Sequence, residues 1–255
     1  IGLNHDIKAS RIYTYSELAS QSLGFVNEKN IGNGGIEGRF DIWLDGEEKK
    51  IKYKKGSKGQ YYTEEDLEQI ALDGYNVKLT LDLEMQKILQ NNLNKIYLDV
   101  EAKSANGIII EAKTGRIRAI ATVPAFNPNE YYKQKYDNKE IDALSRKNTA
   151  LSDNYEPGST FKIIPLSLIL QKENNFLDSK VYCENGTYKL PNGKILRDHE
   201  PHDTLSIEEI MAHSSNIGFS KLSNQFEKNE LHTLIAQYGF GISPNILTDN
   251  VKAKG

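Results

Sequence analysis

Tyr155-Glu156-Pro157-Gly158-Ser159-Thr160-Phe161-Lys162-Ile163-Ile164 is the stretch that decides how this chain is read. Pro157 and Gly158 close a loop, and the apolar run Ile163-Ile164-Pro165-Leu166-Ser167-Leu168-Ile169-Leu170 then suits a helix buried nearly all round. Ser159 and Lys162 stand three apart, so at the first turn of that helix they share one face within contact distance. A serine hydroxyl is a poor nucleophile at neutral pH unless a neighbouring base takes its proton, and a lysine is such a base once its environment lowers its pKa. An apolar surround does this by disfavouring the ammonium form. A Ser-x-x-Lys pair by itself occurs by chance on solvated helices. Here it follows Glu-Pro-Gly and opens an apolar helix, where a purely structural lysine is expensive to bury.

Working outward toward the C-terminus, Thr204-Leu205-Ser206-Ile207-Glu208-Glu209-Ile210-Met211 carries a capping box, with Ser206 as cap and Glu209 three residues later. The short helix it starts runs into His213-Ser214-Ser215-Asn216-Ile217-Gly218, where Ser214 and Asn216 bracket one residue of an expected turn. Alone, that is ordinary turn chemistry. Together, Ser159-x-x-Lys162 and Ser214-x-Asn216 form the first two parts of a three-part serine acyl-transfer motif set whose third member is Lys-Thr-Gly.

Toward the N-terminus, Thr80-Leu81-Asp82 predicts a helix start, with Asp82 as cap and Met85, Ile88, Leu89, Leu93 and Ile96 at helical spacing toward a core. Gly107-Ile108-Ile109-Ile110 and Ile117 to Val123 read as strands joined by Glu111-Ala112-Lys113-Thr114-Gly115. Lys113-Thr114-Gly115 spells the third motif, but it precedes Ser159 and sits in a tight connection, so it is given no catalytic role. Further back the chain is irregular, with a helical stretch from Tyr15 to Leu23 and Gly-rich connections at Gly32, Gly34, Gly35 and Gly38. The lysine-rich stretch from Lys49 to Lys58 alternates Ile51 and Tyr53 against lysines and reads as a solvated hairpin rather than a patch for anionic lipid or phosphate. The change from this irregular part to periodic helix and hairpin puts a boundary near Gly74, just before an expected strand at Val77-Lys78-Leu79-Thr80. Two regions result, 1–74 and 75–255, in an α+β / α/β chain.

Composition narrows the function. With 255 residues and 32 basic against 35 acidic side chains, net −3, the chain lacks the strongly basic balance of a nucleic-acid binder. Its 14 Tyr and 8 Phe supply bulk for packed cores. The single cysteine, Cys183, has no partner for an internal disulfide and no adjacent base in sequence, which leaves it a stray thiol. The apolar run at Ile163 falls short of the roughly 20 residues that cross a bilayer. Asp198-His199-Glu200-Pro201-His202-Asp203 gathers metal-capable side chains, but Pro201 prevents the helical His-Glu-x-x-His arrangement, whose histidines stand four apart rather than three. A polar surface loop is the reading, and no metal site is assigned. Neither an initiator Met nor a signal-peptide pattern opens the chain, so both ends are expected to be cut.

Arg11-Ile12-Tyr13-Thr14-Tyr15, Leu23-Gly24-Phe25-Val26-Asn27, Gly34-Gly35-Ile36-Glu37, Leu81-Asp82-Leu83-Glu84-Met85-Gln86, Asn148-Thr149-Ala150-Leu151 and Ser214-Ser215-Asn216-Ile217-Gly218 each resemble segments of class B penicillin-binding proteins, in the expected order over nearly the whole chain. Tyr155 to Ser159 and Gly24 to Asn27 resemble the division-specific septal type. Thr14 departs from the family's usual Pro in Arg-x-Tyr-Pro. The resemblance implies an irregular pedestal (1–74) and the first part of a penicillin-binding transpeptidase-like domain (75–255), an antiparallel sheet with flanking helices that is incomplete at the C-terminus. It implies a peptidoglycan D,D-transpeptidase that cross-links stem peptides through a serine acyl-enzyme, without cofactor or metal. Ser159 would be the acylated nucleophile, Lys162 its general base and Ser214 a proton relay to the leaving group, while Asn216 would hold the substrate's amide. The implied partners are peptidoglycan stem peptides, β-lactam antibiotics, a glycosyltransferase and division proteins, with no nucleic acid. The implied location is the bacterial inner membrane, anchored by a segment absent from this chain, with the catalytic part on the periplasmic side.

Two other functions compete: a non-catalytic scaffold or binding module, and a serine β-lactamase or β-lactam sensor, which would lack the pedestal motifs between Arg11 and Glu37. The third motif should follow Asn216 by a long stretch, and the chain closes at Gly255. Losing one oxyanion donor typically costs about 100- to 1,000-fold in rate, so these 255 residues alone are expected to acylate poorly or not at all. Mass spectrometry after incubation with penicillin checks this, and a stoichiometric adduct on Ser159 would contradict it.

Overall fold

The computed structural model describes residues 10–45, 53–55, 61–63, 74–131, 137–172 and 179–242, in two compact units, Ile1–Asn154 and Tyr155–Gly255. The division falls at Asn154 rather than near Gly74, because buried side chains of the first 45 residues bond into the helix and hairpin that follow Gly74. Gln21 donates to the carbonyls of Thr122, Pro124 and Ser145 at 3.2, 3.0 and 2.8 Å.

In the first unit, helix α1 (Leu83–Asp99) is capped as expected, with Asp82 accepting from the Met85 N–H at 2.9 Å. It lies on an antiparallel hairpin of β1 (Ala105–Ile110) and β2 (Ile117–Val123). The buried positions of α1 differ from the apolar stripe read in the sequence. Gln86 and Gln90 are buried at 2% and 5% exposure, whereas Met85, Ile88 and Ile96 stand out at 43%, 60% and 53%. The reason is hydrogen bonding: Gln86 accepts from the Ile120 N–H and donates to the Ile120 carbonyl, both at 2.9 Å, so its amide pairs with β2 as a neighbouring strand would. Gln90 accepts from the Ala19 N–H at 3.1 Å and donates to the Glu17 carbonyl at 3.0 Å. Leu89 and Leu93 do meet the hairpin, over Gly107, where an added Cβ would lie 3.0 Å from Leu89 Cδ1.

Several local expectations shift in the same unit. The helix expected from Tyr15 is shortened to Ser20–Leu23, because Ser16 and Ala19 take positive φ of 49° and 55° and break the run before it. Val77 to Thr80 forms no strand; instead the Thr80 hydroxyl and the Asp82 N–H bond to the carbonyls of Ile117 and Arg118, each at 2.7 Å. Lys113-Thr114-Gly115 makes the β1–β2 connection, with Gly115 at φ +71°. Of the lysine-rich stretch, Tyr53–Lys55 is described, and its backbone pairs antiparallel with Tyr61–Thr63; the rest of that reading lies outside the described residues. Arg11 and Tyr13 meet Glu37: Arg11 Nε lies 3.0 Å from Oε1, and the Tyr13 hydroxyl donates to Oε1 at 3.3 Å. Burial and the Glu37 carboxylate push the Tyr13 phenol well above its ordinary pKa.

The second unit opens with a 3-10 turn, Gly158–Lys162, that leads into α2 (Ile163–Lys172). Two antiparallel strand pairs follow: β3 (Lys180–Tyr182) with β6 (Thr204–Ser206), and β4 (Thr187–Lys189) with β5 (Ile195–Arg197). Helices α3 (Ile207–Ala212), α4 (Asn216–Ser223) and α5 (Lys228–Gln237) complete it. The expected capping box is present at α3, with Ser206 and Glu209 exchanging hydrogen bonds at 2.8 and 3.1 Å. One core gathers Ile169, Cys183, Leu205, Ile207, Ile210, Ile217, Phe219 and Leu222; a second joins Ile164, Leu168 and Leu234. Helix α2 is therefore two-sided rather than buried all round, since Ile163 and Leu170 are each 54% exposed. Among the described residues no helix is long and apolar enough to cross a membrane.

Helices α3 and α4 approach closely at Gly218, where an added Cβ would sit 2.7 Å from Ile210 Cγ1 and 2.9 Å from both Cδ1 and Cγ2. Ile210 is fully buried and hemmed in by the core, so it yields only by displacing its neighbours. Gly218→Ala is expected to destabilise the chain by about 1–3 kcal/mol, read from denaturant unfolding. An unchanged midpoint would show that Ile210 re-packs freely.

Candidate active site

Ser159, Lys162, Ser214 and Asn216 all lie in the second unit. Ser159 and Lys162 fall on the 3-10 turn rather than the first α-helical turn; with three residues per turn, positions three apart eclipse, so the shared face is kept. Ser159 is exposed, and its hydroxyl has no hydrogen bond with the described residues. The reach expected between Ser159 and Lys162 is thus not realised as a bond. The amine is engaged elsewhere: Lys162 Nζ donates to the Ser214 carbonyl at 2.5 Å, to Ser214 Oγ at 3.0 Å and to Asn216 Oδ1 at 2.8 Å. Three acceptors thus surround the one amine. Nζ also lies 5.4 Å from the centroid of the Phe219 ring.

The backbone explains how a turn offers so much to one lysine. Ser214 has φ +53°, uncommon for a residue other than glycine. This conformation, between the end of α3 and the start of α4, lets Ser214 present both its carbonyl and its hydroxyl to Nζ. Asn216 is fixed at its other end too, its Nδ2 donating to the Arg197 carbonyl of β5 at 2.9 Å. The second N–H of that amide has no partner among the described residues and stays available to a carbonyl from outside.

Asp198 organises the turn, and sequence reasoning placed it only in a polar surface loop. Oδ2 accepts from the Ser215 hydroxyl at 2.6 Å and Oδ1 from the Ile217 N–H at 3.0 Å. Ser215, 1% exposed, caps α4 by accepting from the Gly218 N–H at 2.8 Å. The one legible signal is the serine immediately before a helical run; its acidic partner lies 17 residues away and leaves no local trace. Burial lowers the Lys162 pKa below the ordinary lysine value, partly opposed by the Asp198 charge. Cys183 is fully buried and fills core space, and burial pushes its thiol up, away from the reactive thiolate.

Asp198→Asn keeps the shape but cannot accept both hydrogen bonds with oxygen. Bonds to a charged group contribute about 1.5–3 kcal/mol, so stability is expected to fall by an amount in that range and the Ile217 amide to exchange hydrogen faster than its α4 neighbours. Unchanged exchange at Ile217 would remove Asp198 from this role.

Residues 107–253 match the penicillin binding protein transpeptidase domain. Peptidoglycan D,D-transpeptidase FtsI of Buchnera aphidicola subsp. Schizaphis graminum is 31% identical over 94% of this chain and 40% of its own length. The FtsI protein of Escherichia coli K12 is 26% identical over 96% of this chain and 40% of its own. The chain thus spans about two-fifths of the length of these relatives. A crystal structure of penicillin binding protein 3 from Mycobacterium tuberculosis, complexed with ampicillin, superposes with a TM-score of 0.72 at 23% identity, covering 90% of this chain and 46% of that one, and bears on the fold alone. With the family pattern matched over more than half its residues, the chain belongs to the penicillin binding protein transpeptidase domain family.

Proposed function

We propose that this chain is part of a serine D,D-transpeptidase that cross-links peptidoglycan stem peptides at the division septum, from the periplasmic face of the bacterial inner membrane. In this reading residues 1–74 serve as a pedestal and 75–255 begin the catalytic domain, although the compact units divide at Asn154. The observation that carries the proposal is the convergence of Ser214 Oγ at 3.0 Å and Asn216 Oδ1 at 2.8 Å on the amine of Lys162, three residues from Ser159 on an eclipsed face.

The roles follow from that placement. Neutral Lys162 takes the Ser159 proton, and Ser159 Oγ attacks the carbonyl of the stem's penultimate D-alanine. The Ser159 backbone N–H donates to the oxyanion, and the free N–H of Asn216 grips a substrate carbonyl. As the tetrahedral adduct collapses, the C–N bond breaks and a proton passes from the lysine through Ser214, its hydrogen-bond partner, to the departing D-alanine amine. The amine of a second stem then attacks the acyl-enzyme and releases Ser159. A β-lactam enters by the same first step, but its leaving group remains tethered, so the acyl-enzyme persists. Stem peptides and β-lactams are the ligands proposed, with a glycosyltransferase and division proteins as partners.

The intact protein should form one covalent penicillin adduct, on Ser159, lasting hours. Ser159→Ala should abolish it, and Lys162→Ala should slow acylation by about 100-fold or more. The active base is the unprotonated amine, so the acylation rate should rise with pH and level off below the ordinary lysine pKa, in keeping with the downward shift at Lys162. An adduct on another residue, or full acylation of Ser159→Ala, would overturn the assignment. Hydrolysis of the adduct within seconds would instead favour a β-lactamase.

A further inference from the structure

His213 ends α3, one residue before Ser214. Its ring lies 4.4 Å, centroid to centroid, from that of His202, tilted by 42°. Glu200 completes the group: one ligand-capable atom from each of Glu200, His202 and His213 lies within 4.8 Å of the other two. Glu200 and His213 are exposed and His202 is partly buried, so solvent reaches the trio.

The loop that brings Glu200 and His202 to His213 is held at both ends. The Asp198 N–H donates to the Gly186 carbonyl at 3.1 Å, and the Asp203 carbonyl accepts from the Cys183 N–H at 2.5 Å. Between them Pro201 packs on Gly186, where an added Cβ would come within 2.9 Å of Pro201 Cα. Gly186 also has φ +82°, so two constraints keep that position a glycine and the loop seated. His213 is fixed separately, its N–H donating to the Glu209 carbonyl at 2.9 Å as the α3 cap. Three side chains on two anchored backbones thus converge without apolar burial to explain their meeting.

We propose that Glu200, His202 and His213 form a binding site for one divalent transition-metal ion of the zinc class, with water completing the coordination. Two neutral imidazoles and one carboxylate are a donor set that suits zinc. Tetrahedral bonds of about 2.0–2.2 Å place ligand atoms roughly 3.4 Å apart, so the trio closes on an ion with side-chain movements of roughly 1 Å. The proline between His199 and His202 excludes a helical pair, but it does not touch this arrangement, whose third ligand lies 11 residues beyond His202. Because His213 adjoins Ser214, the bound ion ties the anchored loop to the turn that carries Ser214. The proposal stands independently of the transpeptidase reading.

Isothermal titration of the chain with Zn²⁺ tests it. One ion per chain is expected, with affinity lowered at least about tenfold by Glu200→Gln and by His202→Ala, since even outer partners of metal ligands typically cost 10- to 100-fold. His199→Ala, outside the trio, should bind as the parent does. Zinc should also perturb the imidazole NMR signals of His202 and His213 and leave that of His199, a readout that requires no substitution. Absence of saturable one-to-one binding, undiminished affinity in His202→Ala, or perturbation of His199 in place of His213 would overturn the site.

Discussion

The second unit depends on how the Asp198 carboxylate spends its lone pairs. One oxygen takes the Ser215 hydroxyl and the other the Ile217 N–H, so the start of α4 is fixed from outside the helix as well as by its own cap. With Ser215 and Ile217 held, Ser214 and Asn216 on either side of Ser215 have little freedom left. A left-handed residue other than glycine costs about 1–3 kcal/mol and persists where its surroundings over-determine it. Ser214 meets that condition, because its N–H donates to the Met211 carbonyl and its own carbonyl receives Lys162. The turn then presents a carbonyl, a hydroxyl and an amide oxygen to a single amine.

The first unit shows the same preference for polar side chains as fixed spacers. Gln21, Gln86 and Gln90 are all buried, and each bonds to backbone groups of another segment. An unpaired buried amide costs about 1–3 kcal/mol, so each glutamine tolerates its position only in one register against its partners. Gln86 in particular specifies the height of α1 over β2 to within one residue, because it needs both the N–H and the carbonyl of Ile120. Leu89 and Leu93 alone, packing over Gly107, would permit sliding.

What the sequence disclosed and what it hid follow from the range of the interactions. The Asp82 cap, the Ser206–Glu209 capping box and the turn at Gly115 rest on contacts a few residues apart, and the 107–123 hairpin on two strands joined by that turn, so each was legible from residue type and spacing. The inward face of α1 was misread because hydropathy assigns glutamine outward, and its real partners lie 34 and about 70 residues away. The candidate site was legible as two motifs. Their meeting, across 52 to 54 residues, was suggested by the family resemblance rather than by spacing. Asp198 was hidden for the same reason: nothing near it in sequence says that it caps a helix 17 residues away.

The charge balance at Lys162 shows why Asp198 is useful where it is. An aspartate paired directly with that amine would hold it as an ammonium ion and raise its pKa, which defeats a base. Lys162 and Asp198 form no ion pair among the described residues; the lysine feels Asp198 only as a weaker, more distant charge, and burial prevails to bring its pKa down. The carboxylate is satisfied instead by a hydroxyl and a backbone N–H, donors that stabilise its charge without being charged themselves. It can therefore fix the turn that aligns Ser214 and Asn216 with Nζ without pairing with the amine, whose pKa stays below the ordinary lysine value. Under the proposed roles, Ser159, with no described hydrogen-bond partner on the eclipsed face of the same 3-10 turn, is the hydroxyl that gives up its proton.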